Sequence, residues 1–181
     1  MAEKASIVGG KKRRHRVEVF AIGPNDTILA ASTGFNKLPE LPGGGVDEGE
    51  TNWDAGAREA DEESGWVVWK PFQLMLNGDW VFKGSDCPWF NKAGWQEEEN
   101  IAIICKAIKF GPTEHFGTEG DAQDFQLYPI QQILEETERF STRDDISNRK
   151  RLLAYFRIAV IKELQFMAKE NSESAPSWRN W

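Results

Sequence analysis

Residues 52–64 carry three glutamates on one helical face, which constrains the fold more than any other feature of the sequence. Glu59, Glu62 and Glu63 stand at positions i, i+3 and i+4, so in a helix their carboxylates lie together and repel one another. Glu62 and Glu63 also fall in the last turn, where the helix dipole disfavours acids. Local rules broken together tend to mark functional sites. Taken singly, the acids favour an ordinary solvated helix face, so the wider pattern has to decide.

The same stretch has recognisable helix ends. Thr51 or Asn52 can cap the first turn, and Asp54, three residues after Thr51, suggests a capping box. Gly65 can adopt the left-handed conformation that ends a helix. Before the helix, the run Pro42-Gly43-Gly44-Gly45 lets the backbone approach a ligand closely. Its carbonyls could ligate a metal and its amides could face phosphate.

A hard divalent cation would remove the repulsion between the three carboxylates. Mg²⁺ and Mn²⁺ prefer oxygen ligands, and Mg²⁺ often shares its coordination shell with substrate phosphates. Arg58 precedes Glu59 directly, and its guanidinium can hold carboxylates in place. These residues therefore favour a metal site that could act on a phosphorylated ligand.

The segment from Gly44 to Trp66, GGVDEGETNWDAGAREADEESGW, resembles the Nudix box. That motif reads G-x5-E-x7-R-E-U-x-E-E-x-G-U, where U is a bulky apolar residue. Its fixed positions are filled here by Gly44, Glu50, Arg58, Glu59, Glu62, Glu63 and Gly65. Ala60 is the one departure, because it is apolar but small, and it concerns packing rather than chemistry.

The resemblance implies a fold and a cofactor. The expected fold is α/β, a Nudix-type α/β/α sandwich with a mixed β-sheet between helices. The expected activity is hydrolysis of a nucleoside diphosphate derivative with Mg²⁺ or Mn²⁺. By the same resemblance, Glu59, Glu62 and Glu63 bind the metal, and the carbonyl of Gly44 is a further ligand.

The resemblance also implies supporting and catalytic roles. Arg58 would orient the glutamates, and Glu50 would support Arg58. Family members differ in their general base, which here is either Glu59 in the box or Glu119 in a distant loop. We favour Glu59 by a narrow margin.

Substrate choice depends on residues outside the box. Trp80 and Trp95 could stack on a nucleobase, or they could equally pack the core. The sequence leaves ADP-ribose, dinucleoside polyphosphates, nucleoside triphosphates and a capped RNA end open as substrates, and a homodimer is plausible for the family. The alternative function is a non-catalytic Nudix-fold sensor that binds a nucleotide. It is disfavoured because no acid of the box is missing.

The rest of the sequence predicts one domain, residues 16–170, between two polar tails. A chain of 181 residues with 40% hydrophobic composition can bury a proper core. Residues 1–15 end in a basic run, which we interpret as a solvated tail rather than a nucleic-acid patch, and residues 171–181 form a polar C-terminal tail. Strands are expected at 16–22, 27–31, 66–76, 100–110 and 125–128, and helices at 52–64, 129–138 and 144–169. This irregular alternation is typical of a mixed sheet between helices.

Charge and cysteine content exclude several classes of protein. The net charge of −7 argues against a general nucleic-acid binder, which needs basic surface. The two cysteines, Cys87 and Cys105, lack metal-ligand spacing and fit a reducing cytoplasm. No segment approaches the roughly 18 consecutive apolar residues of a membrane span, so we expect no membrane partner.

Overall fold

Helices and a seven-stranded sheet make up the computed structural model, which describes residues 4–31, 37–77, 80–83, 94–108 and 125–170. The strands are β1 (Ala5–Val8), β2 (Lys11–Gly23), β3 (Thr27–Ala30), β4 (Val67–Leu74), β5 (Val81–Lys83), β6 (Glu97–Ile108) and β7 (Gln126–Pro129). The helices are α1 (Asn52–Ser64), α2 (Ile130–Ser141) and α3 (Asn148–Glu170). In the described ranges, every helix is too short or too polar to cross a lipid bilayer.

The two longest strands, β2 and β6, form the centre of the sheet. They run parallel, with partners from Arg13 opposite Glu97 to Ile22 opposite Lys106. The strand order is β4-β6-β2-β3-β7, with β1 also pairing β2 and β5 also pairing β6. All of these other pairings are antiparallel, so the sheet is mixed, as predicted.

Both faces of the sheet are covered by helices because the inner strands are apolar on both sides. On one face, Val19 of β2 belongs to the cluster that packs against α1. On the other face, Phe20 packs with α2 and α3, and its ring meets Phe156 edge to face at a centroid distance of 6.3 Å. The predicted α/β/α sandwich is therefore confirmed.

Helix α1 lies close to the sheet because its buried residues are small: Ala55, Gly56 and Ala60. A Cβ on Gly56 would stand 3.4 Å from Val19 and 3.5 Å from Ile103, which is ordinary contact distance. Ala60 is fully buried. The small residue in the apolar slot of the box thus lets α1 approach the two central strands.

The predicted ends of α1 are confirmed. The amide of Asp54 donates to Thr51 Oγ1 at 3.1 Å, and Gly65 has a φ of 67° at the C-cap. The interruption expected near Pro71 is also present, as a register shift of β4 against β6 between Trp69 and Phe72.

The N-terminal tail prediction is wrong for residues 5–8 and 11–15, which are strand residues of β1 and β2. The basic run forms part of the sheet because its side chains pair with acidic residues at the start of β6. Lys11 and Arg13 both bind the carboxylate of Glu97, at 3.0 and 2.9 Å, and Arg14 binds Glu98 at 3.3 Å. These ion pairs join residues more than 80 positions apart, so the local sequence gives no sign of them.

One ion pair lies inside the sandwich. Glu18 of β2 is fully buried and accepts two hydrogen bonds from Arg157 of α3, at 2.6 and 2.8 Å. Arg157 also donates to the carbonyl of Pro39. Because buried charges need partners, this guanidinium fixes the position of α3 against β2 and the loop that leads to the Gly-rich run.

Candidate active site at the acidic helix

The Gly-rich run lies along the edge of β2, in the gap between β1 and β3. The amide of Val17 donates to Gly44 O at 2.9 Å, and the amide of Val19 donates to Pro42 O at 2.8 Å. The amide of Val46 returns a bond to His15 O at 3.0 Å. The run therefore behaves as a short extra strand, and the sheet sets its position before α1 begins.

Two positions of this run require glycine because a side chain would not fit there. The backbone angle is not the reason, since neither glycine has a positive φ. A Cβ on Gly43 would overlap the backbone oxygen of Val17. A Cβ on Gly44 would overlap the carboxylate of Glu59 instead. The run therefore makes close contacts with β2 at Gly43 and with the box glutamate Glu59 at Gly44.

Arg58 links the loop to the acids of α1. Its Nε and Nη2 bind the two oxygens of Glu50 at 3.0 and 3.1 Å. Its Nη1 binds Glu59 at 2.8 Å and Glu62 at 3.1 Å, while Nη2 also donates to Gly45 O at 2.9 Å. The structure thus brings together the arginine, its predicted support and two of the predicted metal ligands.

The third glutamate turns towards the loop. Glu63 accepts a hydrogen bond from the amide of Gly43 at 2.9 Å. An amide that the sequence suggested for phosphate is therefore engaged by a carboxylate. The carbonyl of Gly44, predicted as a metal ligand, already accepts the bond from Val17 and has only its second lone pair for an ion.

The donor set fits a hard divalent cation in chemistry, since it consists of carboxylate and carbonyl oxygens. In this arrangement, however, no three acidic, histidine or cysteine side chains of the described ranges are gathered closely enough to hold an ion. Glu59 and Glu62 are turned to Arg58, and Glu63 is turned to Gly43. The metal-binding roles therefore stay predictions.

Hydrogen bonds and burial shift the pKa values of these acids in opposite directions. Hydrogen bonds from Arg58 hold the pKa of Glu50 below its usual value. Burial raises the pKa of Glu59, although the hydrogen bond from Arg58 opposes the shift. Glu63 is exposed as a residue, but the protein atoms around its carboxyl group exclude water from it and raise its pKa to about 7. The hydrogen bond from the amide of Gly43 opposes this shift. The charge of Glu59 adds to that shift.

The remaining predicted site residues lie elsewhere. Trp80 is half-buried beside the core and meets Phe156 edge to face at 5.5 Å. Trp95 exposes only 8% of its surface and is covered by Lys12, whose Nζ lies 4.4 Å from the ring centroid. These placements favour the packing interpretation over base stacking. Glu119 lies outside the described residues.

The sequence did not lead us to Arg16, which supports the Gly-rich run through a hydrogen bond. Its Nη2 donates to the carbonyl of Gly43 at 2.7 Å. The sequence signal was available, because Arg16 and Glu18 are the only charged residues in the predicted strand 16–22. Charges in such positions are usually paired and carry a specific role.

Alanine at the two glycines should separate the two kinds of contact. Gly43→Ala should lower the free energy of unfolding by about 1–3 kcal/mol, because its Cβ meets backbone that cannot move aside. Gly44→Ala should cost less than about 0.5 kcal/mol, because the flexible Glu59 side chain can swing away. Urea unfolding measures both values, and equal costs would contradict this account of the loop.

Glu63 should make the metal-free protein less stable as the pH rises. A glutamate with a pKa of about 7 in the folded protein, against an ordinary value of 4.5, binds its proton more tightly when folded. Its contribution to stability is full below its unfolded pKa and is lost as pH rises through about 7.

Thermal unfolding in EDTA between about pH 5 and pH 8 tests this. Glu63→Gln should lose less Tm over that interval than wild type, whereas Asp61→Asn on the same helix should behave like wild type. Parallel curves of Tm against pH for wild type and Glu63→Gln would contradict the raised pKa of Glu63.

Comparison with known proteins identifies the family. The family model of the NUDIX domain matches residues 12–151, well over half of the chain. No curated protein matches the sequence significantly.

Several solved structures are similar in arrangement, at low identity. A NUDIX hydrolase from Nitrosomonas europaea shares 17% identity with a TM-score of 0.49, covering 82% of this chain and 91% of that chain. A MutT structure from work on Aliivibrio salmonicida and Vibrio cholerae shares 20% identity with a TM-score of 0.48, covering 82% and 99%. MutT from Bacillus halodurans shares 16% with a TM-score of 0.43, covering 67% and 72%.

The family match includes β2, the Gly-rich run, all of α1, β6 and the start of α3. It therefore spans the elements that position Arg58 and the three glutamates. The chain belongs to the Nudix family of hydrolases.

Proposed function

We propose that this protein is a pyrophosphohydrolase that cleaves the diphosphate linkage of a nucleoside diphosphate derivative. The observation that carries the proposal is the hydrogen-bond network of Arg58, which holds Glu50, Glu59 and Glu62 beside the Gly-rich run. A structural acidic helix would not need this network, in which three of the four charged residues are half-buried around one arginine.

Each box residue has a task in this proposal. Glu59, Glu62 and Glu63 would hold Mg²⁺ or Mn²⁺, with the carbonyl of Gly44 as a further donor. When bound, such an ion neutralises diphosphate charge and lowers the pKa of a water molecule that attacks phosphorus. Arg58 keeps the glutamates oriented, which matters because positioning and charge stabilisation dominate phosphoryl transfer.

Glu59 is our candidate for the general base. It is held at 2.8 Å by Arg58 and occupies the space that a side chain at Gly44 would fill, so its carboxylate is directed towards the Gly-rich run. Burial raises its pKa, which makes it a stronger base than a solvated glutamate. Glu119 is the competing candidate. We also propose a cytoplasmic location, on the sparse cysteine content alone.

Turnover by variants tests the assignment. With Mg²⁺ or Mn²⁺ and a panel of ADP-ribose, dinucleoside polyphosphate, nucleoside triphosphate and capped RNA, wild type should release product that phosphatase converts to phosphate. Glu59→Gln should lower kcat at least about 100-fold, because it removes a base and a charged ligand. Asp61→Asn, which changes an acid of the same helix outside the fixed motif positions, should stay close to wild type.

Other outcomes would favour the alternatives. Near-normal turnover by Glu59→Gln at saturating metal would remove Glu59 as base and ligand, and a large loss in Glu119→Gln would then assign the base to the distant loop. Saturable nucleotide binding by wild type without turnover of any compound would favour the sensor.

A further inference from the structure

A cavity of about 630 Å³ adjoins the box and is lined by an unusual number of cations. Gly43 and Glu63 form the part of its wall that belongs to the candidate active site. We call it the basic cavity, after the cationic side chains that line it: Arg16, Lys37, Arg143, Arg149, Lys150 and Arg157.

The charge of the basic cavity is opposite to that of the protein. Three carboxylates line it, those of Glu40, Glu63 and Asp145, against six cations, whereas the whole chain carries −7. A cleft with one dominant sign of charge raises the local concentration of ligands of the opposite sign. The basic cavity is therefore suited to an anion.

Three of its arginines are already paired within the protein. Arg157 is bound to the buried Glu18, Arg149 donates to the buried Glu98 at 3.2 Å, and Arg143 forms two bonds with Asp145 at 2.6 and 2.8 Å. Lys37 and Lys150 differ from them because both are exposed. Long, mobile lysines on the wall of a cavity can contact an anionic ligand without a cost to the core.

The start of α3 adds a second feature that favours an anion. Its first turn contains Arg149 and Lys150 and no acidic residue. Cations at this end of a helix oppose the positive end of the dipole, and a bound anion would satisfy both. This mirrors Glu62 and Glu63 of α1, which stand at the negative end of the dipole of that helix.

Arg16 provides an independent observation that favours an anion in the basic cavity. Its Nη2 is engaged by Gly43 O, but its Nε is buried and makes no hydrogen bond within the described part of the chain. Buried guanidinium donors without an acceptor are costly. Since Arg16 lines the basic cavity, a phosphate oxygen is a fitting acceptor.

We propose that the basic cavity binds a phosphate group of the substrate beyond the diphosphate that is cut. This rests on the proposed function, because Glu63 and Gly43 join the basic cavity to the box. The preferred substrates are then polyphosphates, such as nucleoside triphosphates, rather than diphosphates that end in a neutral sugar.

A binding experiment tests the basic cavity without any turnover. Inorganic tripolyphosphate is titrated calorimetrically into the protein in EDTA at low ionic strength. The double variant Lys37→Ala/Lys150→Ala should bind it about tenfold more weakly than wild type, because charge-assisted bonds are lost. The control Lys162→Ala/Lys169→Ala removes two exposed lysines of α3 and should bind like wild type. Equal weakening in both doubles, or none in either, would overturn the proposal.

Kinetics then separates the basic cavity from the box. In Lys37→Ala/Lys150→Ala, the KM for ATP should rise about tenfold, while the kcat and KM for ADP-ribose stay close to wild type. An equal rise for both substrates would overturn the proposal, although the proposed function would stand. If wild type hydrolyses nothing on the panel, the proposed function fails and the tripolyphosphate titration still decides whether the basic cavity binds phosphate.

Discussion

The pairing of the Gly-rich run with the edge of β2 is the constraint on which the candidate site depends. Bonds from Val17 and Val19 fix the run, and the absence of a side chain at Gly44 lets Glu59 come against it. Arg58 then ties the run to the helix through Gly45. Loop and helix are therefore positioned by the sheet, as sites built on rigid elements are.

Two helices place their charges at the ends where the dipole disfavours them. Glu62 and Glu63 stand at the C-terminal end of α1, and Arg149 and Lys150 stand at the N-terminal end of α3. Glu63 and Lys150 line the same basic cavity. Neither arrangement stabilises its own helix. In the proposed function, the carboxylates would bind a cation, and the cations would bind a phosphate chain. Contacts within the protein offset part of these charges, as Arg58 does for Glu62 and Glu98 does for Arg149, and the proposed ligands would offset the rest.

The sequence predicted what depends on local pattern. The bounds and caps of α1 follow from Thr51, Asp54 and Gly65, and the mixed sheet between helices follows from the order of strands and helices. It could not predict the strand at residues 11–15, because Glu97 and Glu98 that pair with this run are distant in the chain.

The start of α3 was a further error with a consequence for the site. Sequence pattern placed it at residue 144, whereas the helix begins at Asn148, so Asp144 and Asp145 lie before the first turn. Because of this error, the sequence did not predict a basic first turn and gave no sign of the basic cavity. Helix boundaries are the part of an element that sequence pattern predicts least reliably.

The central claim is that Glu59, Glu62 and Glu63 bind a divalent cation beside the Gly-rich run. Diffraction from crystals grown with Mn²⁺, recorded at the manganese absorption edge, tests it most directly. The account predicts an anomalous peak about 2–2.5 Å from carboxylate oxygens of at least two of these glutamates. Ordered manganese elsewhere on the protein, with no peak at α1, would contradict it.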